Sequence, residues 1–314
     1  MRVSVVICTY NGSTRIQSTL QALSRCEADF PVEIVIVDNN SNDGTADVAQ
    51  QVWAACSNRR FDFRVVRETE PGLTFARRAG IRAARGDIVV FCDDDNWLSP
   101  DYLKLAVEIM ADPAIGAAGG QSEPEIEGPI PTFIYSHGFG YVLGVQGMAS
   151  GDVTQKRGYL WGAGLTVRRA DMMRLYDCPG FPVMTGRTGK KLSAGEDVEI
   201  CAGLILLGLK LYYDDRLRLR HCIPRERLSP EYLSRLFSGF QEQEAGLRYY
   251  RLLKELRSRS PAANALVHGI RWLRWLGSEQ RKWPHRFAFL ATVNMPSLLS
   301  ETEAAFCNIY RNLR

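Results

Sequence analysis

Four times between Arg2 and Leu103 an apolar run gives way to polar residues and then to a helical pattern. Arg2 to Cys8 ends at Thr9-Tyr10-Asn11-Gly12, Pro31 to Val37 ends at Asp38-Asn39-Asn40-Ser41, and Gly86 to Cys92 ends at Asp93-Asp94-Asp95-Asn96. Phe61 to Arg67 is a third, less apolar run between the last two. Short continuous apolar runs read as strands buried on both faces. The helices between them are expected to start at Ser13 or Thr14, to carry Val48, Val52 and Trp53, to span Gly72 to Arg85, and to begin again at Pro100. That rhythm implies an α/β fold, a doubly wound and mostly parallel sheet with right-handed crossovers and helices on both faces. Ligands sit at the carboxyl ends of such strands, so the three polar clusters are expected to meet at one edge.

Three adjacent carboxylates repel one another. Either they are a solvated acidic turn that caps the next helix, or a divalent cation with a phosphorylated ligand relieves the repulsion. Neither G-x-G-x-x-G nor G-x-x-x-x-G-K-[ST] follows the first strand, which removes a dinucleotide fingerprint and a P-loop as explanations.

Farther along, Ile115 to Tyr159 reads as loops and short strands, and Leu160 to Arg168 as a strand entered through small residues. Pro179 to Ser193, with Arg187, Lys190 and Lys191, is a basic loop that suits either a lid over phosphate or plain solvent. Gly195-Glu196-Asp197 opens a helix, where acidic residues are common as caps. Leu209 to Tyr213 and Arg216 to Arg220 read as two short strands that end at His221.

The charge is divided. Residues 225–314 carry 15 Lys and Arg against 8 Asp and Glu, whereas residues 1–224 carry 24 against 27. A helical tail starts at Ser229-Pro230-Glu231, and Ala262 to Leu276 pairs Trp272 and Trp275 with Arg271, Arg274, Arg281 and Lys282. It fits an anionic membrane surface, packing on the rest of the chain, or a homodimer contact. Val3 to Cys8 is too short for a signal segment and no uncharged apolar run reaches eighteen residues, so the chain is expected in the cytoplasm, peripheral at the inner membrane face through its tail. The eight scattered cysteines are expected to be free thiols.

Five segments in order, Val3 to Gly12, Glu33 to Thr45, Gly72 to Ile81, Gly86 to Asn96 and Gly195 to Asp197, resemble the family 2 inverting glycosyltransferases with the GT-A fold. The resemblance implies a catalytic domain over residues 1–225 and a helical basic extension over 226–314. It implies a donor pocket of Thr9, Tyr10, Asn11, Asp38, Asn40, Arg77, Asp93 and Asp94, with Asp38 accepting from the base of a nucleotide-diphosphate sugar, a UDP-sugar being favoured. Asp93 and Asp95 match a D-x-D pair for Mg²⁺ or Mn²⁺, and His221 stands where some GT-A enzymes have a further metal ligand. Asp94, between them, is expected to turn away, which would make Asp94→Ala the mildest change of the three. Asp197 matches the general base and Glu196 its neighbour in the acceptor site.

Two departures stand out: Asp38-Asn39-Asn40-Ser41 lacks a further acid, and Arg77-Arg78 replaces the commoner Arg-Asn. Without a Q-x-x-R-W motif, transfer of a single sugar to a glycan or lipid-linked hydroxyl is expected, and no nucleic-acid partner. A nucleotidyltransferase or sugar-nucleotide pyrophosphorylase, or a non-catalytic nucleotide-sugar binding module, are the alternatives.

Overall fold

The computed structural model describes residues 1–56, 60–126, 128–137, 144, 146–184, 186, 195–257, 260–274, 284, 287–288, 290 and 301–313. Its centre is a nine-stranded sheet. Strand β1 (Val3–Thr9) lies between β2 (Val32–Asp38) and β4 (Ile88–Asp93), and β3 (Asp62–Arg67) flanks β2, all four parallel. Beyond β4 the sheet turns mixed. β8 (Thr166–Arg168) is antiparallel to both β4 and β6 (Ile115–Glu125), while β9 (Lys210–Cys222) runs parallel to β6 and antiparallel to β5 (Asn96–Leu98) and β7 (Gly151–Asp152).

Register is what gathers the polar ends. Thr9 sits opposite Asp38 and Cys8 opposite Asp93, so the first, second and fourth strands stop at the same edge. The β5 to β9 pairing sets Asn96 opposite His221, which carries a residue from far along the chain back beside the aspartate triad.

Alternation along the strands divides the core. Val5 and Ile7 face helices α1 (Ile16–Leu23), α2 (Thr45–Ala55) and α4 (Tyr102–Ile109) through Leu20, Trp53 and Leu103. Val6 and Val35 face the other layer, which includes α3 (Leu73–Ala83), α6 (Arg169–Tyr176) and α7 (Glu196–Leu206), whereas Ile134 of α5 (Thr132–His137) packs in a separate small cluster with Ile223, Leu228 and Leu233. That second cluster runs on without a break into Tyr250, Leu253 and Leu256 of α8 (Pro230–Arg257) and Phe306 and Ile309 of α10 (Glu301–Asn312). The contact has a polar centre: the Tyr250 hydroxyl donates to the buried Glu199 carboxylate of α7 at 2.6 Å, and the Val183 and Met184 amides donate to the same group at 2.7 and 3.0 Å. Burial pushes the Glu199 carboxyl up to about 7. All eight cysteines are free.

Several elements differ from the expected ones. Ile115 to Glu125 is one long strand, since Gly120 lets the Leu217 carbonyl approach where any side chain would collide. The two strands read on either side of Asp214-Asp215 are one strand with a register shift, in which Asp214 accepts from the Arg216 amide and its guanidinium. Leu160 to Leu165 is not a strand; Leu165 N closes a turn on Gly162 O and Gly164 takes a φ of 72°. The first helix is regular from Ile16, two or three residues later than expected, although the Arg15 and Ile16 amides already donate to Gly12 O at 2.9 and 3.0 Å. Among the described residues no helix is long and apolar enough to cross a membrane.

The shared core makes a measurable demand. Leu253→Ala, at a fully buried position of α8, is expected to cost about 2–5 kcal/mol and to lower a single denaturation midpoint followed by far-UV dichroism and by tryptophan fluorescence alike. Two separated transitions would instead mean that the tail unfolds apart from the sheet.

Candidate active site

A cavity of ≈ 480 Å³ opens at the carboxyl edge of the sheet. Thr9, Tyr10, Asn40, Arg77, Asp93, Asp94, Asp95, Glu196, Asp197 and His221 all line it, which brings together residues spread over most of the chain. Asn11 and Asp38 are the two expected residues that do not line it. They brace the turns behind it: Asp38 Oδ1 accepts from Ser41 N at 3.0 Å, Asn11 Oδ1 accepts from Asn42 N at 3.0 Å, and Asn11 N donates to Ser41 Oγ at 3.0 Å. Asn11 and Asn40 take positive φ values of 48° and 64°, a conformation that asparagine tolerates better than most side chains.

The triad is arranged residue by residue. Asp93 ends β4 at the cavity wall. Asp94 does not turn away as expected: its carboxylate accepts from the Thr9 hydroxyl at 2.6 Å and from two nitrogens of Arg15 at 3.0 and 2.8 Å, and Thr19 Oγ1 donates to its carbonyl at 2.9 Å. Gly12 leaves room for this contact, because a Cβ there would push on Thr9 Oγ1 and Asp94 Oδ2. Asp95 Oδ1 accepts from Asn96 Nδ2 at 3.0 Å with His221 Nε2 at 3.8 Å, and its Oδ2 accepts from Arg227 Nη1 at 2.8 Å.

Also lining the cavity, α7 follows its N-cap Gly195, whose φ is 119°, and puts Glu196 and Asp197 in its first turn. Asp197 Oδ1 accepts from Val198 N at 2.8 Å and Oδ2 from Gly162 N at 3.0 Å. Burial, then the Glu196 charge, raise its carboxyl to about 6, against the opposing pull of Arg77 and the two amides. Arg77 is 3% exposed, its Nη1 lies 3.8 Å from Glu196 Oε1, and it stacks over Phe91 at 5.3 Å. Burial works against its charge, but Glu196, Asp93 and Asp197 outweigh that and raise its pKa. Gly162 leaves room for this guanidinium, since a Cβ there would strike Arg77 Nη2.

Oxygen donors suit a hard divalent cation, and Asp93 and Asp95 supply them on the cavity wall. Among the described residues no three His, Cys, Asp or Glu side chains are gathered to hold an ion unaided. The set therefore fits a cation whose remaining ligands come from phosphate oxygens and water, as is common for Mg²⁺.

Sequence reading missed Arg15 and Arg227 and gave no individual role to Asn39, in the second polar cluster, or to Trp161 and Gly162, in the run of small residues. Asn39 joins the loop after β2 to the start of α3 by donating to Glu70 O at 2.7 Å and accepting from Gly72 N at 2.8 Å. No spacing signal marks these residues, because each meets its partner through a long-range contact. Of the basic lid, Arg187, Lys190 and Lys191 lie outside the described residues; Gly186 lies beside Thr74 and Glu196.

Two family models match the chain: Glycosyl transferase family 2 over residues 4–144 and Glycosyl transferase family group 2 over residues 88–300. EpsH of Bacillus subtilis is 36% identical over 110 residues, which are 35% of this chain and 30% of that protein. The match thus spans under a third of that relative's length. The glucosyl-dolichyl phosphate glucuronosyltransferase of Haloferax volcanii is 24% identical over 262 residues, 79% of each protein. In fold, the mannosyltransferase PcManGT of Pyrobaculum calidifontis, solved with GDP-Man and Mn²⁺, is similar with a TM-score of 0.50 and 19% identity, over 99% of this chain and 84% of that one.

For stability, a readout apart from the activity on which Asp94→Ala is expected to be the mildest change, the contacts set Asp94 apart from Asp93. Asp94→Ala strands the Arg15 guanidinium and the Thr9 hydroxyl together, and is expected to cost about 1–3 kcal/mol in urea denaturation. Asp93→Ala, at the partly exposed strand end, should leave the midpoint close to wild type.

Proposed function

We propose that this chain, which belongs to glycosyltransferase family 2, moves one sugar from a nucleotide-diphosphate donor to a hydroxyl of a glycan or lipid-linked acceptor, with inversion at the anomeric carbon. The observation that carries the reading is the placing of Asp197 in the same cavity as Asp93 and Asp95. One wall suits a diphosphate and the other offers a base. In this reading the donor lies along Thr9, Tyr10, Asn40, Arg77 and the triad, and the acceptor hydroxyl meets Asp197 with Glu196 beside it.

Asp197 takes the proton as the acceptor oxygen attacks the anomeric carbon, and the bond to the diphosphate breaks on the opposite side. A pKa of about 6 leaves this carboxylate ionised at neutral pH yet more basic than an ordinary aspartate. The Gly162 and Val198 amides fix its orientation. Arg77 supplies fixed positive charge in a partly dry site, where it acts more strongly than in water. A divalent cation held by Asp93 and Asp95, with His221 beside them, would stabilise the charge gathering on the departing nucleoside diphosphate. PcManGT, with its GDP-Man and Mn²⁺, supports that reading at the level of fold.

A peripheral role for the extension has its own support. On α9 (Pro261–Arg274) the side chains of Leu266, Ile270 and Leu273 are exposed at i, i+4 and i+7, beside Arg271. Trp275, Arg281 and Lys282 lie outside the described residues, as do the side chains of Trp272 and Arg274. Contact of this face with an anionic membrane follows from that apolar stripe and the basic charge of residues 225–314.

Transfer from a panel of UDP- and GDP-sugars, with and without Mn²⁺, tests the enzyme reading. Asp197→Asn is expected to spare donor binding and lower kcat by at least about a hundredfold. In the wild type, kcat should rise with pH through about 6 and level off above it, since the base acts when deprotonated. NMR of the product should show a β linkage from an α-linked donor, and a retained configuration would remove Asp197 as the base. Co-sedimentation with phosphatidylserine vesicles, weakening as salt rises, is the outcome expected for the tail; recovery of the protein wholly in the supernatant at low salt would leave the stripe to packing or dimerisation.

A further inference from the structure

Two guanidiniums that compensate Asp94 and Asp95 hold them differently. Arg15 grips Asp94 with two nitrogens, at 3.0 and 2.8 Å, and also donates to the Asn11 and Tyr10 carbonyls at 3.2 and 3.3 Å. It is woven into the turn after β1. Arg227 reaches Asp95 Oδ2 through one nitrogen, at 2.8 Å, from a side chain that is 22% exposed against 7% for the aspartate.

The backbone under Arg227 is fixed even though its side chain is long. Its amide closes a 3-10 turn on Pro224 O at 2.9 Å, and the next residue, Leu228, is buried among Ile223, Leu233 and Leu236. The guanidinium can therefore change partner by rotating about side-chain bonds alone. Asp95 and Arg227 both line the cavity.

A divalent cation that takes Asp95 would stand within a few ångströms of the guanidinium held on its Oδ2, and the two positive charges repel each other. A nucleoside diphosphate offers the displaced guanidinium a better partner, since the planar fork of arginine binds phosphate oxygens bidentately.

We propose that Arg227 is a positioning residue with two alternating partners: it holds Asp95 in the ligand-free protein and passes to the donor's diphosphate when a divalent cation takes Asp95. This rests on the donor reading given above. In consequence the cation binds weakly by itself and tightly with the nucleotide, because each removes an obstacle for the other. Cation and nucleotide are thermodynamically coupled through one side chain, and the coupling is reciprocal.

Calorimetric titration of Mn²⁺ alone, and of UDP and GDP at saturating Mn²⁺, into wild type, Arg227→Gln and Arg227→Lys tests this, with melting temperatures reporting that each variant is folded. Arg227→Gln should bind Mn²⁺ alone about tenfold more tightly and the nucleotide with Mn²⁺ about tenfold less tightly, so that the coupling collapses. Arg227→Lys keeps the charge and should match wild type on Mn²⁺ alone while losing part of its nucleotide affinity, since an ammonium is not a fork. If the wild type binds nucleotide with Mn²⁺ but Arg227→Gln leaves the affinity for Mn²⁺ alone unchanged, the exchange is wrong and the donor site stands. If the wild type binds neither nucleotide in the presence of Mn²⁺, the donor reading falls, and the exchange with it.

Discussion

Three carboxylates in a row at the end of a buried strand are an electrostatic problem that the fold must solve before it can be used. The solution separates them. Arg15 and Thr9 draw Asp94 toward the turn after β1, Arg227 and Asn96 hold Asp95 toward the end of β9, and Asp93 is left at the strand end facing the cavity. Each stabilising group comes from a different element, so the triad is stable only where the sheet is fully assembled. A third arginine, the buried Arg77, packs against Gly162 and balances the acidic start of α7.

The parallel half of the sheet was legible in the sequence because its strands are apolar on both faces and each ends in a distinct polar cluster. Thr9, Asp38 and Asp93 could be assigned to one edge from that pattern alone, and the register agrees. The mixed half was not. β6 read as loops and short strands because of its glycines and Pro124, yet Gly120 is what lets the Leu217 carbonyl of β9 come close. The break read at Asp214-Asp215 is a distortion inside one strand, which a turn-like dipeptide cannot be told from without its sheet partner.

Within the site, residue type and spacing found the acids and missed the bases that hold them. Carboxylates concentrated in short motifs stand out; Arg15 and Arg227 do not, since arginine is ordinary in a surface helix or turn and becomes informative only through its contact. Asp94 was misjudged for the same reason. A pair of alternating positions faces one way only in a regular strand, and the chain has left the regular strand by Asp94.

The pairing of Asn96 with His221 closes a circuit across 125 residues of chain. The clasp holds the aspartate triad, whereas Gly162, Glu196 and Asp197 lie within the enclosed stretch and must keep their places, so change is tolerated in the loops between these fixed points. Under the proposed function, partner preference on the acceptor side can be rebuilt by exchanging those loops as a cassette beside an unchanged donor platform.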